Sequence, residues 1–340
     1  RYGARDTEAV RHSVANGIFL SVLSSLLLTI LCLLSMKPLL TIMNTPENIF
    51  DAAYTYIIAI SIGIAANVFY NLFSAYLRAV GNSQIPLFFL IFSACLNVVL
   101  DLLFIIGLQM GVAGAAWATN LAQAISAILC GLYIWLRVPD LKPAPRHWRP
   151  SRLTSRQQLA AGIPMAFQFA ITASGTMIMQ SAINLFGSEA VAAFTASGKL
   201  MVLLTQGMVA MGQTMATYGG QNYGCGDIKR IKAGVRAALI ADSIYSVSMA
   251  VLVYFLLRPC LGLFFSGDVD VNALLPWAKT YSYLCIAFYV PLCTIYIFRN
   301  IMQGCGYSFL PMMGGVAELL ARLVVSIAAM KFLSFPMACA

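Results

Sequence analysis

Charge is what this chain has least of. Asp, Glu, Lys and Arg make up 10% of its 340 residues, against about 25% in a soluble domain. That is too little to coat a water-facing surface, which argues against a soluble globular protein. Histidine is almost absent: His12 and His147 are the only two, far apart in sequence. The nine cysteines show no Cys-x-x-Cys spacing and mostly fall in apolar runs, so neither a zinc site nor a disulfide framework is indicated. No nucleophile elbow, His-Glu-x-x-His helix or phosphate-cradling glycine loop occurs, which argues against a membrane-embedded enzyme. No cleavable signal peptide is visible, and the first residue is Arg1.

What is present is apolar sequence. Sixty per cent of the residues are hydrophobic and the mean hydropathy is +0.83. Nine stretches are long and apolar enough to cross a bilayer core, which takes roughly 20 residues of helix. They lie near 15–36, 52–77, 86–107, 112–136, 159–185, 190–218, 233–257, 277–301 and 310–332. The runs are continuous rather than alternating, so helices are expected and a barrel is not. The fold class read here is all-α, a polytopic helical membrane protein whose solvent and partner is the lipid bilayer.

A net charge of +9 invites a nucleic-acid reading, but the distribution of the charge argues against nucleic acid. Counted by alternate connections, fifteen Lys and Arg lie on one side, from Arg1 to Arg299. Only Lys37, Arg258, Lys279 and Lys331 lie on the other. That asymmetry is the positive-inside bias and assigns the fifteen to the cytoplasm, beside anionic headgroups.

The chain also says the same thing twice. Tyr2-Gly3-Ala4-Arg5-Asp6 returns as Tyr223-Gly224-Cys225-Gly226-Asp227, an offset of 221. Leu77-Arg78-Ala79-Val80-Gly81-Asn82-Ser83, then Pro86, returns as Met302-Gln303-Gly304-Cys305-Gly306-Tyr307-Ser308, then Pro311, an offset of 225. The duplication divides the chain into an N-terminal lobe (1–136), a proline-rich basic cytoplasmic linker (137–158) and a C-terminal lobe (159–340). Two spans precede Tyr223, and none precedes Tyr2. The span 112–136 has no counterpart after 332. The repeat unit is therefore read as six helices per lobe, of which about nine are present, with both lobes in the same orientation.

Taken together, the duplicated Tyr-Gly-Ala-x-x-Asp loop, the Leu77-Arg78-Ala79-Val80-Gly81 loop and Gly111-Val112-Ala113-Gly114-Ala115-Ala116-x-Ala118-Thr119 resemble the multidrug and toxic compound extrusion (MATE) family. The stretch Ala192–Lys199 leading to Gln221-Asn222-Tyr223-Gly224 is similar to the opening of that family's second half. The resemblance covers nearly the whole chain and leans to the DinF-like bacterial branch. It implies a monomeric, multi-pass exporter of the bacterial inner (plasma) membrane. Cationic amphipathic compounds would leave by antiport with H+ or Na+, with no cofactor beyond that ion.

Ionisable groups inside spans are the natural site candidates, because each costs several kcal/mol, about 2.5–3.5 at a helix centre, unless paired or hydrated. Asp101 comes first. Asn97 precedes it by four residues and shares its helix face. Gly107 follows by six, which puts the carboxyl ~9 Å from the outer helix end. Thr119 lies ~12 Å down the next span, Gln123 follows it by one turn, and Tyr56 sits at comparable depth on another helix. An acid, an amide, a hydroxyl and a phenol then converge as a cation-coupling set of Asp101, Asn97, Thr119 and Tyr56. The alternative is that Asp101 only bonds a neighbouring helix. The DinF-like branch resembles this pattern but adds an acid on a first span that has no counterpart here.

Around the substrate path the candidates are Gln123, Lys199, Glu318, Arg322, Gln168 and Asn184. Glu318 and Arg322 stand at i and i+4, as a structural ion pair or a transport element. Lys199 is a gate, a partner of Glu318 or a snorkelling side chain. Asp242, six residues from Arg236, is expected to reach the cytoplasmic interface. Pro164 and Pro291 are expected to kink their spans. The methionines of 159–218 are either packing or an adaptable ligand wall. The rival function is a lipid-linked precursor flippase on the same plan, which asks for a strongly basic cavity.

Overall fold

The computed structural model describes residues 1–42, 45–264 and 271–332, and within them the only regular structure is helical. The duplicated loops fold alike, atom for atom. In the first, the Arg5 amide donates to Tyr2 O at 2.9 Å; in the second, Gly226 N donates to Tyr223 O at 3.1 Å. Arg5 (φ 58°) and Gly226 (φ 77°) take the same left-handed position, which glycine reaches without strain. Asp6 and Asp227 then cap the helices that follow, accepting from Ala9 N and Arg230 N at 3.0 and 2.9 Å. Those helices are α1 (Thr7–Ile42) and α8 (Ile228–Phe264). The other repeated loop turns at Gly81 (φ 89°) and Gly306 (φ 95°). It launches α4 (Gln84–Asp101) and α11 (Phe309–Phe332), whose first residues keep the offset of 225.

Between these loops each repeat carries a broken span. The stretch expected as 52–77 is α2 (Glu47–Ile62) and α3 (Ile64–Ala79), bent by 44° at Gly63. The stretch expected as 277–301 is α9 (Val271–Ala287) and α10 (Tyr289–Gly304), bent by 50° at Phe288. Gly63 and Phe288 are again 225 apart, yet the chemistry differs. Pro291 has no N–H to give Ala287, so α9 cannot run on into α10. The first repeat has no proline there. Instead, Gly63 N donates to Ile60 O at 2.9 Å, which frees the Ala59 carbonyl, and Asn120 Nδ2 takes that carbonyl at 2.6 Å. Pro164 behaves differently: α6 (Arg152–Ile183) continues through it as one helix.

The remaining helices are α5 (Gly111–Arg137) and α7 (Ser188–Gly224). Among the described residues six helices are long and apolar enough to cross a membrane alone, and two bent pairs pass together, so the chain is a multi-pass membrane protein. The ninth expected span, α7, is not in that set. It carries Lys199, Gln206 and Gln213, and its apolar residues are spent inside its unit, against α8, α9 and α10. The outward faces of α1 and α4 are bare leucine, isoleucine and phenylalanine, for example Leu34 at 75% exposed. Surface this apolar is stable only against lipid.

The helices form two compact units, 1–158 and 159–340. In the first, α5 packs on α2, α3 and α4, and α1 on α2 and α3. Leu77, Cys130 and Leu141 lie at the heart of its core. In the second, the core runs through Met208, Leu257 and Cys293. The linker is more ordered than its prolines suggest. Short 3-10 turns occupy Pro139–Leu141 and Pro145–Trp148, and helix resumes at Arg152 because Ser151 Oγ accepts from Thr154 N. His147 is buried. Its Nδ1 accepts from Ala144 N at 2.8 Å, so Nε2 carries the proton that bonds Glu8 Oε2 at 2.7 Å. That bond, with Arg146 at 2.7 Å on the other oxygen, holds the Glu8 carboxyl below the usual carboxylate range.

Candidate functional site

In the first unit, α4 and α5 pack side by side and bring Asn97 and Thr119 together as the residue pattern suggested. Asn97 Nδ2 donates to Thr119 Oγ1 at 3.3 Å, and Thr119 gives its own proton to Ala115 O at 3.0 Å. One turn along α4 the carboxyl of Asp101 is half-buried, and its Oδ1 is fully enclosed with no hydrogen-bond partner. One turn along α5 from Thr119, Gln123 Oε1 is enclosed and unpartnered in the same way. Immediately after Asp101 the helix widens into a π-turn, Leu102–Gly107, closed by Leu108 N to Leu103 O at 2.9 Å. Such turns re-aim side chains and gather at functional sites. Two buried acceptors without donors are what a bound cation or proton satisfies.

Tyr56 does not join this set. It is 41% exposed on α2, and among the described residues no hydrogen bond links it to Asp101, Asn97 or Thr119. The polar group that does reach from α5 to the α2–α3 break is Asn120, which residue spacing did not single out. Its signal was a glycine in mid-span: a Cβ on Gly63 would lie 1.8 Å from Asn120 Oδ1, so only glycine admits the amide there.

In the second unit the bend at Phe288 lines a cavity of ≈ 370 Å³, closed by Met179 of α6 and by Glu318, Arg322 and Ser326 of α11. Arg322 Nη2 and Nε bond Glu318 Oε1 at 2.8 and 3.1 Å, and Gly175 of α6 leaves room for the Arg322 stem. The pair is a real one. Lys199 is not Glu318's partner; it is exposed and makes no ion pair among the described residues. Gln168 is buried; with its amide oxygen toward Arg299 it accepts from Nε and Nη1 at 3.1 Å and turns its nitrogen to the Gln303 amide, 2.7 Å away. Asn184 is exposed at the end of α6 and accepts from Gln180 at 2.9 Å. By the offset of 225, Arg322 and Ser326 occupy the places of Asn97 and Asp101. One helix face thus carries an unpaired acid in the first unit and an internally neutralised pair in the second.

One other expectation fails. Asp242 does not reach the interface: it is 2% exposed, with Oδ2 unpartnered. Of the methionines of 159–218, Met201, Met208 and Met215 are packed in the core, and Met179 lines the cavity.

A family model described as MatE matches residues 1–103 and 164–328. A probable multidrug resistance protein of Bacillus subtilis, YpnP, is 38% identical over 57% of this chain and 43% of its own length. A second from the same organism, YoeA, is 22% identical over 77% of this chain and 58% of its own. The chain thus spans less than two thirds of either relative. A crystal structure of a MATE in complex with MaL6 superposes with a TM-score of 0.89 at 21% identity, covering 100% of this chain and 76% of that one.

Proposed function

Because the chain belongs to the MatE family, we propose that it works in a secondary multidrug exporter that moves cationic amphipathic compounds out by antiport with H+ or Na+. The observation that carries the ion step is the enclosed, unpartnered Asp101 Oδ1 one turn from the Asn97–Thr119 bond. An ionised carboxyl there attracts a cation, while a proton or sodium ion neutralises it. Ion and drug therefore favour different charge states of one site, and that competition couples them. Asn97, Thr119 and Gln123 supply the neutral oxygens around it. The Glu318–Arg322 pair serves as a wall of the second unit's cavity rather than as the ion site, because its charges already cancel.

The same reading puts the protein in the bacterial plasma membrane, with the basic linker in the cytoplasm by the positive-inside bias. It acts as a monomer, and its partners are lipid and small organic cations, not nucleic acid. A flippase for anionic lipid-linked precursors is the poorer fit, since the one arginine lining the cavity is matched by a glutamate. The test is ethidium export from vesicles holding the full-length protein, with proton and sodium gradients imposed separately. Asp101→Asn is expected to insert normally and lose export driven by one of the two gradients. Undiminished transport by that variant rejects the assignment.

A further inference from the structure

We infer that Asp242 is a second proton-binding site, built into the core of the C-terminal unit. The residue stands 14 positions into α8, ~21 Å along the helix axis at 1.5 Å per residue. Its neighbours one turn to either side, Ala238 and Ser246, are 5% and 0% exposed, and Asp242 itself is 2% exposed. Leu239 and Tyr245, on the same face, belong to the two apolar clusters that join α8 to α7 and α10. The side chain is therefore buried among packed helices, with Oδ2 shut off from lipid and water.

The enclosure is close because glycine makes it so. On one side of Asp242, Gly207 of α7 lies under the Tyr245 ring; a Cβ there would be 2.4 Å from Cζ. On the other side, Tyr218 of α7 lies against Gly234, with a corresponding separation of 2.2 Å. Between them Gly212 of α7 faces the Asn300 amide of α10, whose nitrogen would be 2.6 Å from a Cβ at that position. Along α8, Asp242 falls between these points of closest approach, and its Oδ2 is enclosed.

No charged group among the described residues pairs with it. Arg236, on α8 itself, is exposed, and Arg299 of α10 lies over the Tyr296 ring at 4.9 Å. Two hydroxyls of these clusters are committed: Tyr245 donates to Leu204 O at 2.7 Å and Tyr218 to Arg230 O at 2.9 Å. No ion pair engages Asp242 among the described residues, and Oδ2 has no hydrogen-bond partner. A carboxylate without counter-ion or donors is far costlier in such a place than the neutral acid. The ligand is a proton and not a metal ion, because a hard cation needs several oxygens. The Ser246 hydroxyl, one turn along α8, is spent on the Asp242 backbone carbonyl at 2.7 Å. Closed helices hold the proton, and parting of α7 from α8 lets it exchange with water.

The timing of that exchange rests on the exporter reading; the presence of the proton does not. Infrared difference spectra of the full-length protein, stepped from acid to alkaline pH, test the latter. The carbonyl band of a dry protonated acid is expected to persist through neutral pH. It should vanish in Asp242→Asn and in Asp242→Leu, and survive in Asp101→Asn. A wild-type protein without that band, or a band that both Asp242 variants retain, overturns the site. In vesicles, export of ethidium driven by a pH gradient is expected to fall about tenfold or more in Asp242→Asn, the scale of a strong coupling between sites. Wild-type export by both Asp242 variants refutes the link to transport. If Asp101→Asn exports normally while the Asp242 band behaves as stated, the first-unit reading fails and the Asp242 site stands.

Discussion

Replacing Gly63 by alanine asks whether the bend in the first repeat is made by one amide. The added Cβ would sit 1.8 Å from Asn120 Oδ1 and 2.6 Å from Nδ2, so the Asn120 side chain must swing away. It then gives up its 2.6 Å bond to Ala59 O at a site where Asn120 is only 9% exposed. Stranding a buried amide and a buried carbonyl costs about 1–3 kcal/mol, so Gly63→Ala alone is expected to lose about 2 kcal/mol. Asn120→Ala removes the same bond but leaves space in which Gly63 N can return to Ala59 O. Its cost is about 1 kcal/mol, near the usual worth of an interhelical bond in a membrane. With the amide gone the three atoms nearest a methyl at 63 are gone too, and alanine is the better helix former by up to about 1 kcal/mol. The double variant should therefore be no less stable than Asn120→Ala, a coupling of about 2 kcal/mol. Thermal unfolding in detergent of the four proteins closes the cycle. Additive losses would refute the idea that Asn120 holds the break open, and the bend would then need another cause.

Two smaller expectations follow from the charged groups. Glu318→Gln leaves Arg322 alone beside the cavity; with side chains 38% and 29% exposed the loss is about 1 kcal/mol, or about 2–4 °C in Tm, and Glu318→Gln with Arg322→Gln recovers it. An unchanged Tm in the single variant would show the pair to be ornamental. The Glu8 clasp has a signed pH dependence. Its folded pKa is lowered, so its contribution is complete above the ordinary glutamate value of about 4.3 and is lost as pH falls through the lowered one. In a variant whose other tryptophans are phenylalanine, Trp148 emission should stay constant down to about pH 5 and shift red below it. Glu8→Gln should show the red-shifted emission at neutral pH, and emission that ignores this substitution would sink the clasp.

The family, the helical class and the repeat were legible in one dimension, because a lipid-facing chain must be apolar in runs of fixed length and a duplicated turn must reuse its glycine and its capping aspartate. Asn97, Asp101 and Thr119 were legible too, since helical spacing and a short connection leave their faces little choice. Neighbours in space were not. Nothing local says that Asn120 reaches Ala59, that Tyr56 is left exposed on α2, or that the broken spans fall at matching places by unlike chemistry. Asp242 is the plainest case: its distance from Arg236 along the chain suggested an interface, but burial is a property of what α7 and α10 lay over it, and only the packed bundle decides that.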